Sequence, residues 1–320
     1  MNFQTFQFHP AVAAGVTAAG FTAPTHIQTK AMPSVMAGKD VMGLAQTGTG
    51  KTAAFALPIL NRLMAGKCGT TRALIVAPTR ELAEQIHEAI TMLGKKTGLK
   101  SIAIYGGVPI GPQIKSVRRA DIVVACPGRL LDHISRKTVD LSALEVLVLD
   151  EADHMFDMGF LPDIRRILKQ VPAKRQSLLF SATMPSEIRH LAGESLTDPV
   201  TVKVGTTAPV ETVSHALFPV AQHQKTPLLI KLLQQTRTDS VLVFTRTKHR
   251  AKRLGEQLGR AGYRAASLQG NLSQNRRQDA INGFRDGTYQ IMVATDIAAR
   301  GIDIANVSHV INYDIPNTAD

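Results

Sequence analysis

The chain has 320 residues, 44% hydrophobic and 19% charged, which suits two domains with sizeable cores and excludes a disordered or fibrous polypeptide. Lysine and arginine number 37 against 25 acidic residues, and a net charge of +12 points to a polyanionic partner. No apolar run reaches the roughly 18 residues of a membrane span, MNFQTFQFHP lacks the features of a secretory signal, and Cys68 and Cys126 match no metal-ligand spacing, as expected of thiols in a reducing cytoplasm.

Short apolar runs recur between helical stretches. The first set reads DVMGLA (40–45), ALIVAP (73–78), SIAIYG (101–106), DIVVAC (121–126), VLVLD (146–150) and SLLFSAT (177–183). Continuous apolar character over four to seven residues predicts strands buried on both faces of a parallel sheet. Helical patterns such as AEQIHEAITML (83–93) and PDIRRILKQ (162–170) alternate with them, which predicts a doubly wound α/β domain over residues 1–203. Residues 203–212, KVGTTAPVET, lack periodicity and carry Gly and Pro, so 204–212 reads as a linker. A second α/β domain is expected over 213–320. Its strands read VSHALFPV (213–220), SVLVFTRT (240–247), RAASLQG (264–270), YQIMVATD (289–296) and VSHVINYD (307–314). Its helices include TPLLIKLLQQ (226–235) and KHRAKRLGEQLGRAG (248–262), the latter stopping at Gly262.

The segment AQTGTGKT (45–52) follows the strand DVMGL and opens the helix TAAFALPILNRLM, the context a phosphate-binding loop needs. Backbone N–H groups across Thr47, Gly48, Thr49 and Gly50, with the helix N-terminus behind them, can cradle phosphates. Gly48 and Gly50 permit the tight turn. Lys51 is placed to reach the β and γ phosphates and Thr52 to ligate Mg²⁺. Ala45 stands where the strict pattern has glycine.

VLVLDEAD (146–153) ends a buried strand with Asp150, Glu151 and Asp153. An acid at the carboxyl end of a strand beside the loop-bearing strand suits a Mg²⁺-holding role, assigned to Asp150. Glu151 is placed to orient and deprotonate a water. For Asp153, capping the following helix is an equal alternative.

With AQTGTGKT and DEAD in hand, the chain resembles the DEAD-box family of RNA helicases. The likeness runs from Phe3 to the last residue. It implies two RecA-like P-loop NTPase domains, ATP and Mg²⁺ as cofactors, and RNA-dependent ATP hydrolysis. GFTAPTHIQ (20–28) looks like the family's adenine-recognising Q motif, with Gln28 reading the adenine edge, Thr25 in the same site, Phe21 against the base and Phe3 as the upstream aromatic. Ser181 and Thr183 of SAT (181–183) match the motif that couples hydrolysis to strand separation.

For RNA, the likeness implies backbone contacts from Pro78, Thr79 and Arg80, Gly106 and Gly107, and Gly128 and Arg129. In the second domain it implies RNA contacts for Arg246 of VFTRTK, Arg277 of QNRR and Thr295 of ATDIAARGIDI, and an ATP-side contact for Asp303. Cys126 stands where the family has Thr before Pro-Gly-Arg, and a thiol donates weakly. Gln269 stands where the family often has His. KHRAKR (248–253) reads either as an extra phosphate patch or as a solvated helix face. With no Trp and 5% aromatics, a base-stacking platform is not expected, so RNA selectivity would rest on 2′-OH contacts.

The family's arginine-bearing motif VI follows a stretch like VINYDIPNTAD, within which the sequence ends at Asp320. The expectation is therefore a helicase whose second domain continues beyond this sequence, or, as the alternative for this chain, an ATP-gated RNA clamp of weak turnover. ATP and RNA are expected to bind cooperatively across the two domains. The short N-terminus and DEADHMFDMGF (150–160) resemble the bacterial RhlE-like subgroup. That likeness implies a cytoplasmic monomer working on ribosomal or RNA-decay components.

Overall fold

The computed structural model describes residues 2–205, 213–236, 239–295 and 307–315. The chain divides into two compact units, Met1–Thr207 and Ala208–Asp320.

In the first unit a single 3-10 turn at Phe3–Phe6 precedes α1 (Pro10–Ala18), α2 (His26–Met36), β1 (Val41–Leu44), α3 (Lys51–Leu63), β2 (Ala73–Val76) and α4 (Arg80–Leu93). Then come β3 (Ser101–Ile104), α5 (Ile110–Val117), β4 (Ile122–Ala125), α6 (Pro127–Ser135), β5 (Val146–Leu149), α7 (Ala152–Asp157), α8 (Leu161–Leu168), β6 (Gln176–Ser181), α9 (Ser186–Ser195) and β7 (Val200–Lys203). Among the described residues the sheet has seven strands in the order β3-β4-β2-β5-β6-β1-β7, with every pairing parallel. Strands β2, β4, β5 and β6 are buried at every residue, because helices cover both faces.

The loop-bearing helix is seated on this sheet by one aromatic contact. Gly43 pairs in register with Phe180, and a Cβ at Gly43 would lie 2.4 Å from the Phe180 ring. The space left by the missing side chain admits that ring, which meets Phe55 of α3 with centroids 5.5 Å apart. Both phenylalanines are fully buried. Removing either ring would cost about 3–5 kcal/mol.

In the second unit a 3-10 turn at Gln222–Gln224 leads to α10 (Lys225–Gln235), β8 (Val241–Phe244), α11 (Lys248–Arg260), β9 (Ala265–Leu268), α12 (Gln274–Arg285), β10 (Ile291–Ala294) and β11 (His309–Asn312). Four described strands form a parallel sheet in the order β11-β8-β10-β9. Leu254 and Leu258 of α11 pack with Val241, Val243 and Ile291, while Ile281 and Phe284 of α12 pack with Met292 and Leu268. These are the two faces of one sheet, because Ile291 and Met292 alternate along β10. Gly262, at φ +91°, follows α11 and takes the left-handed conformation that ends a helix.

Two expectations need correction. Residues 213–220 form no strand, and Leu217 is 79% exposed. Their alternating pattern is genuine, but no described strand pairs with them. Conversely, Val200–Lys203 is a strand, β7, where sequence gave only the approach to a linker. It is an edge strand with Val202 as its one buried residue, so it lacks a continuous apolar run.

Candidate nucleotide and nucleic-acid site

The phosphate loop leaves the end of β1 and enters α3 at Gly50, whose φ of +90° only glycine adopts cheaply; Gly48 has φ +77°. Thr49 Oγ1 donates to the Gln46 carbonyl at 2.7 Å and pins the turn. Lys51 is buried, and its ammonium donates to the Ala45 carbonyl at 3.0 Å. Thr47 is exposed, and Thr52 is half-buried on the first turn of α3.

The Q-motif segment is joined to this loop. Thr25 and Gln28 form a reciprocal capping box at the start of α2. The Gln28 Oε1 accepts from Thr25 N at 3.0 Å, and its Nε2 donates to the Gly50 carbonyl at 3.1 Å. A Cβ at Gly50 would come within 2.5 Å of that Nε2. Gln28 is therefore a buried link rather than a free surface amide. Phe21 is half-buried against Phe3, with ring centroids 5.9 Å apart, and Phe3 itself is buried.

The sheet order corrects one expectation here. The acid-bearing strand β5 is not beside β1; β6 stands between them and pairs with both. The end of β6, Ser181–Thr183, thus lies between the phosphate loop and the acidic turn. Asp153 exploits that position. Its Oδ2 accepts from Ala182 N at 3.1 Å, Thr183 N at 2.8 Å and Thr183 Oγ1 at 3.0 Å, and its own N–H donates to Ser181 Oγ at 3.2 Å. Burial opposes ionisation of Asp153, yet the Thr183 N–H, the His154 charge and the two hydroxyls outweigh it and hold its carboxyl below the usual range. Asp153 therefore serves both helix and strand: its Oδ1 takes the first-turn N–H of His154 at 3.1 Å, while Oδ2 makes a strand-to-turn tie to residues about 30 positions downstream that no local pattern signals.

Asp150 is fully buried, and burial pushes its carboxyl up to about 6; the Lys51 ammonium partly offsets this, while Glu151 and Asp153 add to it. Glu151 occupies the N-cap of α7 at φ +51°, ψ +53°, left-handed backbone that costs a non-glycine residue of order 1 kcal/mol or more. Its carboxylate is buried and lies 2.9 Å from His154 Nδ1. Sequence reasoning passed over His154.

A second rim gathers the ends of β3, β4 and β2, adjacent in the sheet. Thr79 caps α4 by accepting from Leu82 N at 3.2 Å, with Pro78 buried before it. Arg80 lies across the next loop: a Cβ at Gly107 would meet its Nη1 at 2.0 Å, and one at Gly106 its Nη2 at 3.8 Å. Gly107 and Gly128 are exposed. Arg129 is turned inward, donating to Gln113 Oε1 and to the Val108 carbonyl, each at 3.0 Å. It braces the glycine loop rather than projecting to solvent. Gln113 also donates to the Tyr105 carbonyl at 3.1 Å, another link that spacing could not reveal. Burial and Glu81 push the Cys126 thiol up to about 12, and it makes no cap hydrogen bond.

In the second unit, Arg246 follows β8 and Thr295 follows the neighbouring β10. Arg277 is half-buried on α12, which Ser273 caps. Asp314 organises this end: its carboxylate takes Arg250 Nη1 at 2.6 Å, Lys225 Nζ at 3.1 Å and Arg246 N at 3.1 Å. Asp303 lies outside the described residues.

Two family models match in order: the DEAD/DEAH box helicase model over residues 25–191 and the helicase conserved C-terminal domain model over residues 224–320. The chain is 44% identical to the ATP-dependent RNA helicase DeaD of Mycobacterium tuberculosis over 324 residues, covering 100% of this chain and 57% of that protein. It is 43% identical to the ATP-dependent RNA helicase CshA of Listeria monocytogenes, covering 98% of this chain and 61% of that one. Among solved structures, S. cerevisiae Dbp5 bound to RNA and ADP BeF3 superposes with a TM-score of 0.90 at 31% identity, covering 99% of this chain and 82% of that chain. The chain thus spans about three fifths of the length of these curated relatives. With both models matched along one chain, the two parallel-sheet units they describe, and DEAD itself at Asp150–Asp153, this protein belongs to the DEAD-box RNA helicase family.

Proposed function

We propose that this chain is the motor core of an ATP-dependent RNA helicase, which uses ATP binding and hydrolysis to part short RNA duplexes or remodel RNA–protein complexes. The observation that carries the reading is the Asp153–Thr183 tie, which joins the acidic turn to the strand end beside the phosphate loop. The yeast neighbour binds RNA and ADP BeF3, and the bacterial relatives are named ATP-dependent RNA helicases. We extend both properties to this chain.

In this reading the backbone of Gly48–Thr52 and the N-terminus of α3 hold the phosphates, and Lys51 exchanges the Ala45 carbonyl for phosphate oxygens. Gln28 and Phe21, with Thr25, hold the adenine. The residues suit Mg²⁺: Thr52 offers a hydroxyl, and Asp150 is a buried carboxyl beside Lys51 that a cation would ionise. When bound, Mg²⁺ supplies neutralisation of phosphate charge. Glu151 orients a water and takes its proton, while Ser181 and Thr183 report the state of the acidic turn.

RNA is gripped by its backbone. Thr79 and Arg80, with exposed Gly107 and Gly128 at loop and helix starts, offer donors and close approach. Arg129 sets that loop. In the second unit, Arg246, Arg277 and Thr295 are the proposed RNA contacts. No helix among the described residues is long and apolar enough to cross a membrane.

The test is steady-state ATP hydrolysis with poly(U) RNA, with single-stranded DNA and with neither. Stimulation by RNA alone is expected. Equal stimulation by DNA would sink the RNA assignment, and RNA-independent hydrolysis would sink the coupling.

A further inference from the structure

We infer that His154 is a positioning residue for the Glu151 carboxylate, an inference that rests on Glu151 acting as the base. Glutamate has three rotatable side-chain bonds. A base that must hold one water in line needs one of the resulting conformations occupied before the reaction begins. Few groups lie within reach to choose it. The Glu151 backbone N–H is engaged with its neighbour, Asp150 Oδ1, at 3.0 Å, which fixes the main chain and leaves the side chain unset.

His154 supplies the missing constraint. Its Nδ1 stands 2.9 Å from Glu151 Oε2, three residues along the same turn, and the Glu151 side chain is 5% exposed against 30% for the imidazole. The ring therefore lies on the solvent side of the carboxylate. It commits one oxygen, Oε2, to the protein and leaves Oε1 for the water. In the Nδ1–H tautomer the imidazole donates, which suits an ionised carboxylate.

The ring's own mounting adds to the argument. The His154 backbone N–H donates to Asp153 Oδ1 at 3.1 Å, while Asp153 Oδ2 takes the Ala182 and Thr183 donors. One carboxylate thus fixes both the end of β6 and the start of the helix carrying the imidazole. A shift of Ser181–Thr183 passes through Asp153 to His154, and from His154 to the oxygen that faces the water. That path gives the strand end a direct hold on the base, separate from any contact with nucleotide.

The experiment compares the full chain with His154→Ala and His154→Asn, the latter keeping an N–H donor where Nδ1 stands. For His154→Ala, the kcat of RNA-stimulated ATP hydrolysis should fall about tenfold, within what misplacing a reacting group costs. KM for ATP and the Kd values for ADP and for poly(U) should stay within about twofold of the parent, because no binding contact is removed. His154→Asn should recover most of kcat. An unchanged or raised kcat in His154→Ala overturns the inference, as does His154→Asn performing no better than Ala at equal thermal stability. A second readout is independent of turnover. The imidazole ¹H–¹⁵N spectrum should show His154 protonated at Nδ1, and that signal should move in Glu151→Gln; a signal indifferent to Glu151→Gln also overturns it. If the parent chain shows no RNA-stimulated hydrolysis, the helicase reading fails on that result. The spectrum then still decides whether His154 holds Glu151.

Discussion

Asp153 takes both donors of Thr183, the backbone N–H at 2.8 Å and the hydroxyl at 3.0 Å, on a single carboxylate oxygen. Hydrogen bonds to a charged group are worth about 1.5–3 kcal/mol each, less where, as at Thr183, the partner is exposed, and they do not add. Asp153→Ala should therefore lower the stability of the first unit by about 3 kcal/mol, and Thr183→Val by about 1 kcal/mol. Denaturant midpoints at constant slope would measure both. If the tie couples hydrolysis to work, Thr183→Val should also lose more duplex separation than ATP hydrolysis.

Glu151→Gln and Lys51→Ala should separate chemistry from binding. The amide keeps shape and polarity but cannot accept a proton at neutral pH, so ATP and RNA affinity should persist while turnover falls by about 10² or more. Lys51→Ala removes the ammonium proposed to meet the phosphates and should abolish nucleotide binding, read by a fluorescent ADP analogue. Turnover surviving in Glu151→Gln would remove Glu151 as the base.

Two glycines of one loop should respond differently to the same change. Gly48→Ala meets open space and pays only for a left-handed backbone, about 1 kcal/mol. Gly50→Ala pays that cost and drives its Cβ into Gln28 Nε2 and Thr25 Oγ1, at 2.5 and 3.0 Å. The affinity for ADP should fall further in Gly50→Ala, and discrimination of adenine from guanine nucleotides should weaken with it.

If Asp150 holds the Mg²⁺ side of the site as proposed, nucleotide binding should be acid-sensitive. The Asp150 carboxyl is raised by burial to about 6, so it is protonated in the folded chain well above the pH at which an unfolded chain would protonate it. The stability that protonation of this group gives the nucleotide-free fold is complete below about pH 4 and is lost as pH rises from there through 6. In the proposed site, Mg²⁺ binding would displace that proton. Mg–ADP affinity should decline below pH 6 more steeply than ADP affinity without the ion.

Asp314 acts with the opposite sign. Burial opposes its charge, but Arg250, the Arg246 N–H and Lys225 overcome that and draw the carboxyl down to about 2. The stability this gives the second unit is complete above pH 4 and lost as pH falls through 2. Three of the chain's four tyrosines, Tyr263, Tyr289 and Tyr313, lie in that unit. Tyrosine fluorescence should therefore follow the acid transition, and Asp314→Asn should flatten it.

The fold was legible where burial on both faces writes itself as an unbroken apolar run. ALIV at β2 and VLVL at β5 could hardly be anything else. Edge positions carry a weaker imprint, and so β7 went unseen while the alternation of 213–220 was taken for a strand. Motif spacing singles out Lys51, Asp150 and Glu151 as candidates, because the pattern that marks them is local to a turn. It could not say that Asp153 answers to Thr183, that Arg129 faces Gln113, or that Gln28 holds the Gly50 carbonyl, since each partner arrives through a crossover of the chain. Nor could it order the strands: adjacency in a doubly wound sheet follows from the path of the connections, not from the residues within a strand.

The interposition of β6 decides which failures can be engineered apart. The proposed phosphate loop and the acidic turn share a party wall, and the three residues at the top of that wall touch the turn directly. In the proposed mechanism, damage on either flank should stall the engine. An engine that idles, spending ATP without moving its load, is to be sought by altering the wall itself.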